Sequence, residues 1–520
     1  MYRALLILLC LVGLSWNRLT WQRAPAQSQA AVSEMPPGLA VSSMALGPLR
    51  SLAADAIFWR MAKKQERKEF LEAAQLSSLV SRMQPKYASV WCYQGWNLAY
   101  NVSVKSADPA ERFAWIMAGI RLLRDEGLKY NPGNKEIRLE LLRIFADKLD
   151  GQADDSVAFL RDEWVRQMLP IFARGDRAEL EAAAAAAPDP ESLMARPGVA
   201  RLVKACRARG VEPLNLESPA ATPEWLRLVL GAEPSPDELP QLLAAAAEIE
   251  NSWRRKKITV DLNMDLERVL LADREYGPLD WRTHQAHGIY WGASQDFAQM
   301  RNSSGTDLTN FVYSLMLSSF YQGKILYNPA DQTFVRTQNL DVLARIHEFI
   351  EAKMVDPRLS EDGRKTWDFK HKVFVHDAAL VCFNSNQGDA SRELFAHYQA
   401  GGYCPPDLTF EQFLMDSMEA SLQREGIKDR PAMIEAILRQ SLLRASYGDM
   451  NGCNGLRNKA MLMWRQHQKE WGSTGRALPP FTQLYEAAKR GYAPDPKSSA
   501  ELEKQLENAR SQQNPPKIKT

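Results

Sequence analysis

The 520-residue chain predicts an all-α fold made of helical hairpins. Three observations carry that reading. From Pro48 onward apolar residues recur at three- and four-residue spacing, as in "LAADAIFWRMAKKQ", "FLEAAQLSSLVSRM" and "RFAWIMAGIRLLRDEGL". Alternating, strand-like runs are nearly absent, and "HKVFVHDAALVCF" is the one ambiguous stretch. Capping residues stand where the periodic runs begin and end. Asp108-Pro109-Ala110-Glu111 sets an N-cap, a first-turn proline and an acidic residue ahead of "RFAWIMAGI". Gly401-Gly402 closes "ELFAHYQA", with Pro405 and Pro406 blocking its continuation.

Residues 1–21 open on Met1-Tyr2-Arg3 and a largely apolar run of thirteen residues, 4–16. As a helix that run rises about 20 Å, short of a ~30 Å hydrocarbon core. It suits a signal peptide, with Ala24-Pro25-Ala26 as its cleavage site. Arg18 and Arg23 interrupt such a region, and Trp16, Leu19 and Trp21 extend residues 4–21 into an uncleaved membrane anchor instead. A signal peptide or an anchor exports the body of the protein, and a buried helix of a soluble protein is the third reading of the segment. The expected location is the cell envelope. An anchored chain is a single-pass inner-membrane protein with its body on the periplasmic side, and a cleaved one is secreted. Residues 22–47 read as a flexible tether.

Residues 48–180 and 251–493 carry the hairpins. Between them, 181–250 mixes polyalanine with frequent proline and reads as a loosely packed insertion of short helices. Residues 494–520 offer at most one short polar helix before a disordered tail. Lys plus Arg number 65 against 63 Asp plus Glu, so the chain lacks the basic excess that nucleic acid would need. The cluster Arg254-Arg255-Lys256-Lys257 reads as a solvated helix face. Six cysteines form no pair at metal or redox spacing.

One tripeptide recurs. Tyr-Asn-Pro closes "GLKYNP" at Pro132 and "KILYNP" at Pro329, 197 positions later. The same offset sets Tyr93 on Tyr290 and Gly95 on Gly292. From each glycine to its proline is 37 residues, with a polar loop and then an apolar helix between. This predicts a duplicated helical hairpin in which Tyr-Asn-Pro is the helix stop, and Tyr130 and Tyr327 pack inward.

"WCYQGWNL", residues 91–98, resembles the first helix of a tetratricopeptide repeat, W-x-x-L-G-x-x-Y. Trp91 and Gly95 match, while Gln94 and Leu98 depart. Ala73, twelve residues before Pro85, falls as that repeat's small residue does. "YGPLDWRTHQAHGIYWG", residues 276–292, together with the Asn-Pro stops, looks like large bacterial tetratricopeptide-type proteins without an assigned activity. The resemblance implies an architecture and no reaction. It also implies that first helices line a groove, with Cys92, Trp96 and Tyr100 facing it, and Tyr290 in the second copy. In the alternative placement Trp96 belongs to the core.

Chemistry is sparse. His284 and His287 share a helix face and are the metal-ligand candidates, although no third ligand stands nearby in sequence. They correspond to Tyr87 and Val90 in the first copy, which favours packing. His371 and His376 form a weaker pair. No P-loop, Gly-x-Ser-x-Gly or His-Glu-x-x-His occurs, and no cofactor is expected. The expected function is non-catalytic: an exported or membrane-tethered scaffold that presents a groove to a peptide or protein. A hydrolase or glycan-active enzyme is the alternative, if acidic residues converge with His284 or His287. A structural subunit of an envelope assembly is the third.

Overall fold

The computed structural model describes residues 49–67, 69–151, 154–215, 219–293, 306–329, 331–424, 429–473 and 477–493, with 495, 498, 500 and 502–507. The expected signal or anchor segment 1–21 and the tether 22–47 lie outside the described residues. Among those described, no helix is long and apolar enough to cross a membrane. Helices dominate, as the periodicity predicts, and the described residues contain a single two-stranded sheet. The chain divides into two compact units at Ile144/Phe145. The hairpin segment expected over 48–180 spans that division.

Unit 1 holds α1 (Leu49–Glu66), α2 (Phe70–Met83), α3 (Ala88–Trp96), α4 (Pro109–Arg121) and α5 (Lys135–Arg143). Helix α1 packs on α2, α2 on α3, and α3 on both α4 and α5. The predicted start of α4 is present: Asp108 accepts a hydrogen bond from the Ala110 N–H at 3.1 Å, and Pro109 fills the first turn. Helix α3 runs on as a wide, π-type turn over Asn97–Val102, and α4 does the same over Leu122–Gly127.

The α3–α4 hairpin closes on two glycines. A Cβ on Gly95 would stand 2.5 Å from Leu123 Cγ, and one on Gly119 would stand 2.7 Å from the Gly95 carbonyl oxygen. The helices therefore meet backbone to side chain and backbone to backbone. That contact requires glycine despite its helix-propensity cost of roughly 1 kcal/mol relative to alanine. Gln94, where the repeat pattern has leucine, is buried and accepts a hydrogen bond from Ser81 of α2 at 3.1 Å. A polar pair thus replaces an apolar contact between these helices.

The first Tyr-Asn-Pro ends a helix, as expected. Tyr130 is half-buried and stacks on Trp91 with ring centroids 6.0 Å apart and planes 13° apart. The Asn131 amide donates to the Gly127 carbonyl at 3.1 Å and to the Pro85 carbonyl at 2.8 Å. The Trp91 indole donates to that same Pro85 oxygen at 2.9 Å. One carbonyl in the turn before α3 is held by both ends of the hairpin.

Unit 2 begins with α6 (Val157–Met168), α7 (Arg177–Ala185), α8 (Val199–Arg207), α9 (Pro223–Leu230) and α10 (Leu239–Lys256). It continues through α11 (Leu266–Tyr276), α12 (His284–Ala293) and α13 (Thr306–Gln322) into a hairpin of β1 (Lys324–Asn328) and β2 (Thr333–Thr337). The remaining helices are α14 (Leu343–Met354), α15 (Glu361–Asn384), α16 (Gly388–Ala400), α17 (Phe410–Arg424), α18 (Arg430–Ser446), α19 (Met450–Trp471) and α20 (Phe481–Tyr492).

The second Tyr-Asn-Pro is not a helix stop: Tyr327 and Asn328 lie in β1, opposite Phe334 and Thr333, and Tyr327 is 36% exposed. Helix α13 already ends at Gly323, where a Cβ would fall 2.3 Å from the Ser319 carbonyl oxygen. The Ile325 N–H then donates to Asp280 at 2.9 Å, and Arg282 donates to the Ile325 carbonyl at 2.8 Å. "HKVFVHDAALVCF" is helical throughout, inside α15. The Ala/Pro-rich segment carries several short helices and the start of the 18-residue α10, and it is not loosely packed. Leu193, Leu202, Val203, Trp225, Leu226 and Ile249 share one buried core.

Arg254 is not solvated either. It is buried, donates to the Ile171 carbonyl at 2.8 Å and pairs with Glu179 at 3.0 Å and Glu250 at 2.6 Å. In the expected tail, residues 502–507 are helical, and Leu502 and Leu506 join the core formed by α18 to α20. The five described cysteines, 92, 206, 382, 404 and 453, are free thiols.

Candidate functional site

Helix α3 divides into two faces. Val90, Trp91, Gln94 and Gly95 are buried against neighbouring helices, and Asn97 and Ala99 continue that seam. Cys92, Tyr93, Trp96 and Tyr100 lie half-buried on the other side. Their spacing of three and four residues stacks the side chains one above another. Trp96 and Tyr100 are stacked with centroids 6.0 Å apart, and Tyr93 leans on Trp96 at 6.2 Å. The Tyr100 hydroxyl donates to the Arg143 carbonyl at the end of α5, at 3.2 Å. The stripe is thereby tied to α5 at one end.

Cys92 is not a nucleophile in this setting. Burial first, then the Glu140 and Glu136 carboxylates, push its thiol up to about 12, so it stays protonated near neutral pH. Burial likewise raises the Tyr93 phenol. The face is a partly covered aromatic surface suited to packing, with the Tyr93 hydroxyl oxygen buried and the Tyr100 hydroxyl bonded to Arg143.

Tyr290 does not belong to such a face. It is 3% exposed, its hydroxyl accepts the Asp265 N–H at 2.9 Å, and its ring sits edge-on to Trp291 at 4.9 Å. All ten residues of α12 are buried, so the helix has no surface to offer.

His284 and His287 share that helix and take different partners. The His284 Nε2–H donates to Asp150 Oδ1 at 2.9 Å, and Ser318 donates to the same oxygen. Gln285 donates to the Ser318 hydroxyl at 3.0 Å. Burial holds the His284 imidazole below its ordinary value although Asp150 opposes it, which keeps the ring neutral. Burial works to raise Asp150, but His284, Ser318 and Arg161 outweigh it and hold the carboxyl below its usual range. His287 donates from Nε2 to the Trp281 carbonyl at 3.0 Å, inside a box of Phe145, Trp164, Phe172 and Trp281. Two rings with separate partners do not bind one ion.

In this group Ser318 and His284 both address the Asp150 carboxylate rather than each other, and His284 is only 1% exposed. Among the described residues, the group able to hold a metal is His347, Glu351 and His371. The sequence pairing of His371 with His376 misses it. His376 turns away to Asp377 and Ser417. The available signal is His347-x-x-x-Glu351, a pair one helical turn apart.

The described fold is thus an all-α one in which α3 of the first unit presents a half-buried aromatic stripe on a rigidly packed helix. No family model, curated protein or solved structure matches this chain.

Proposed function

We propose that the chain is a helical-repeat scaffold of tetratricopeptide type that binds a peptide or protein segment in the cell envelope, exported or tethered through residues 4–21. The observation that carries the reading is the half-buried stripe Cys92, Tyr93, Trp96 and Tyr100 on α3. Tyrosine and tryptophan supply large contact area at low entropic cost and dominate binding hot spots. The glycine contact of α3 with α4 holds that stripe on a rigid element.

The test uses the full chain captured from solubilised membranes beside its Trp96→Ala/Tyr100→Ala variant. The reading expects a co-purifying protein that the variant loses while keeping the wild-type melting temperature within a few degrees. Equal recovery by both would overturn the assignment of the face. Export is tested separately by a reporter fused after Ala54, which should be active only where it works outside the cytoplasm. Activity of a cytoplasm-only reporter at that point would refute it.

A further inference from the structure

Three helices of unit 2 converge on a histidine cluster that the scaffold reading does not use. Helix α14 supplies His347 and, one turn on, Glu351. Helix α15 supplies His371, and α16 brings His397 edge-on to His347 with ring centroids 5.3 Å apart. His347 Nε2 lies 3.3 Å from His371 Nε2 and 3.1 Å from Glu351 Oε1, and the three ligand atoms all fall within 4.8 Å of one another.

Protons alone do not satisfy this arrangement. Tyr403 donates its hydroxyl hydrogen to Asp368 at 2.6 Å, so its oxygen accepts from His371 Nδ1–H at 3.2 Å. That fixes the His371 tautomer and leaves its Nε2 with a lone pair aimed at His347. The single proton on His347 Nε2 faces two acceptors at once, His371 Nε2 and the Glu351 carboxylate. A cation at the shared point would serve all three, with the His347 proton moved to Nδ1.

We propose that His347, Glu351 and His371 bind a borderline divalent transition-metal cation, Zn2+ foremost, with a fourth position open to solvent. Ligand atoms about 2.0–2.1 Å from a tetrahedral zinc stand about 3.3–3.4 Å apart, close to the two short separations here. Two imidazoles and one carboxylate suit zinc, and the group found among the described residues contains no cysteine to favour a softer ion. The Asp368–Tyr403–His371 chain is the outer support that orients ligating histidines. Glu351, whose side chain is 59% exposed, forms the rim through which ion and water enter.

The experiment titrates Zn2+ alone into the full chain against a competing colorimetric chelator, with Co2+ spectra in parallel. One ion per chain is expected, together with the intense visible absorption of four-coordinate Co2+. His347→Ala and His371→Ala should abolish stoichiometric binding, and Tyr403→Phe should weaken it by about 10–100-fold. His376→Ala, at the neighbouring histidine, should leave it unchanged. Zinc binding that survives both His347→Ala and His371→Ala would overturn the proposal. The Co2+ spectrum of the wild type carries the test even if a variant fails to fold: a spectrum of six-coordinate aqueous type, with no intense band, would overturn it too.

Discussion

The two Tyr-Asn-Pro tripeptides are spelled alike and folded differently. At residues 130–132 the helix continues through Gly127, the tyrosine stacks on Trp91, and the asparagine ties the turn to Pro85. At 327–329 the helix has already ended at Gly323, and the tyrosine and asparagine are strand residues in an antiparallel hairpin. The local words are equal, so the difference lies in their surroundings. A Cβ on Gly127 would stand 3.4 Å from Ile137 Cδ1 and 3.5 Å from Trp91 Cβ, an ordinary contact, and the residue stays helical. Gly323 breaks the helix, and the buried Asp280–Arg282 pair captures the backbone of Ile325 as an edge to build on. Tertiary hydrogen bonds override a shared tripeptide.

The comparison can be broken at the glycines first, where the largest effect is expected. Gly119→Val drives a branched side chain into the Gly95 carbonyl and should cost unit 1 the upper part of the roughly 1–3 kcal/mol typical of overpacking, or more. Gly95→Ala meets a buried but movable Leu123 side chain and should cost less. It should not stabilise, as alanine would in an exposed helix. Thermal unfolding ranks the two variants, and a raised melting temperature for Gly95→Ala would refute the close contact.

A smaller effect separates the tyrosines. Tyr130→Ala removes a stacked ring from Trp91 and should cost about 1 kcal/mol more than Tyr327→Ala, whose ring is partly exposed on a strand. Equal losses, measured by denaturant midpoints at constant slope, would mean that the two tripeptides play more similar parts than their hydrogen bonds indicate.

The smallest effect is a pH dependence confined to unit 2. His284 is held below its ordinary value of 6.5, so in that window the unfolded chain binds a proton that the folded one does not. Stability should therefore fall as pH drops below about 6.5. Asp150, held below 3.8, contributes stability that is present above that value and is lost as pH falls through its folded-state value. His284→Asn should flatten part of the slope between roughly pH 7 and pH 5. An unchanged slope in the variant would show that the His284–Asp150 contact is not maintained in solution.

Much of the helical content is legible from periodicity and caps. Asp108, Pro109 and the Gly401-Gly402 stop all act as their spacing predicts. The misses share a cause, since each depends on a residue far away in sequence. "TFVRT" shows strand-forming residues, but only its partner β1 and the Asp280–Arg282 pair make it a hairpin. Arg254 looks like surface until Glu179 and the Ile171 carbonyl arrive to satisfy it. In the candidate sites, Trp91, Gly95 and the half-buried Trp96 follow from helical spacing. Tyr290 carries the same apparent register and is buried because α12 is enclosed on every side. His347 and His371, 24 residues apart, meet only once α14 and α15 pack together.

The most direct test of the central claim, that the α3 face of unit 1 receives a partner, is photo-crosslinking in intact cells. A photoreactive residue replaces Trp96 in one strain and Tyr327 in another, comparing the binding stripe with the second tripeptide's exposed strand. The account predicts a discrete adduct to one protein from position 96 and none from 327. The same adduct from both positions, or an adduct from 327 alone, would contradict it.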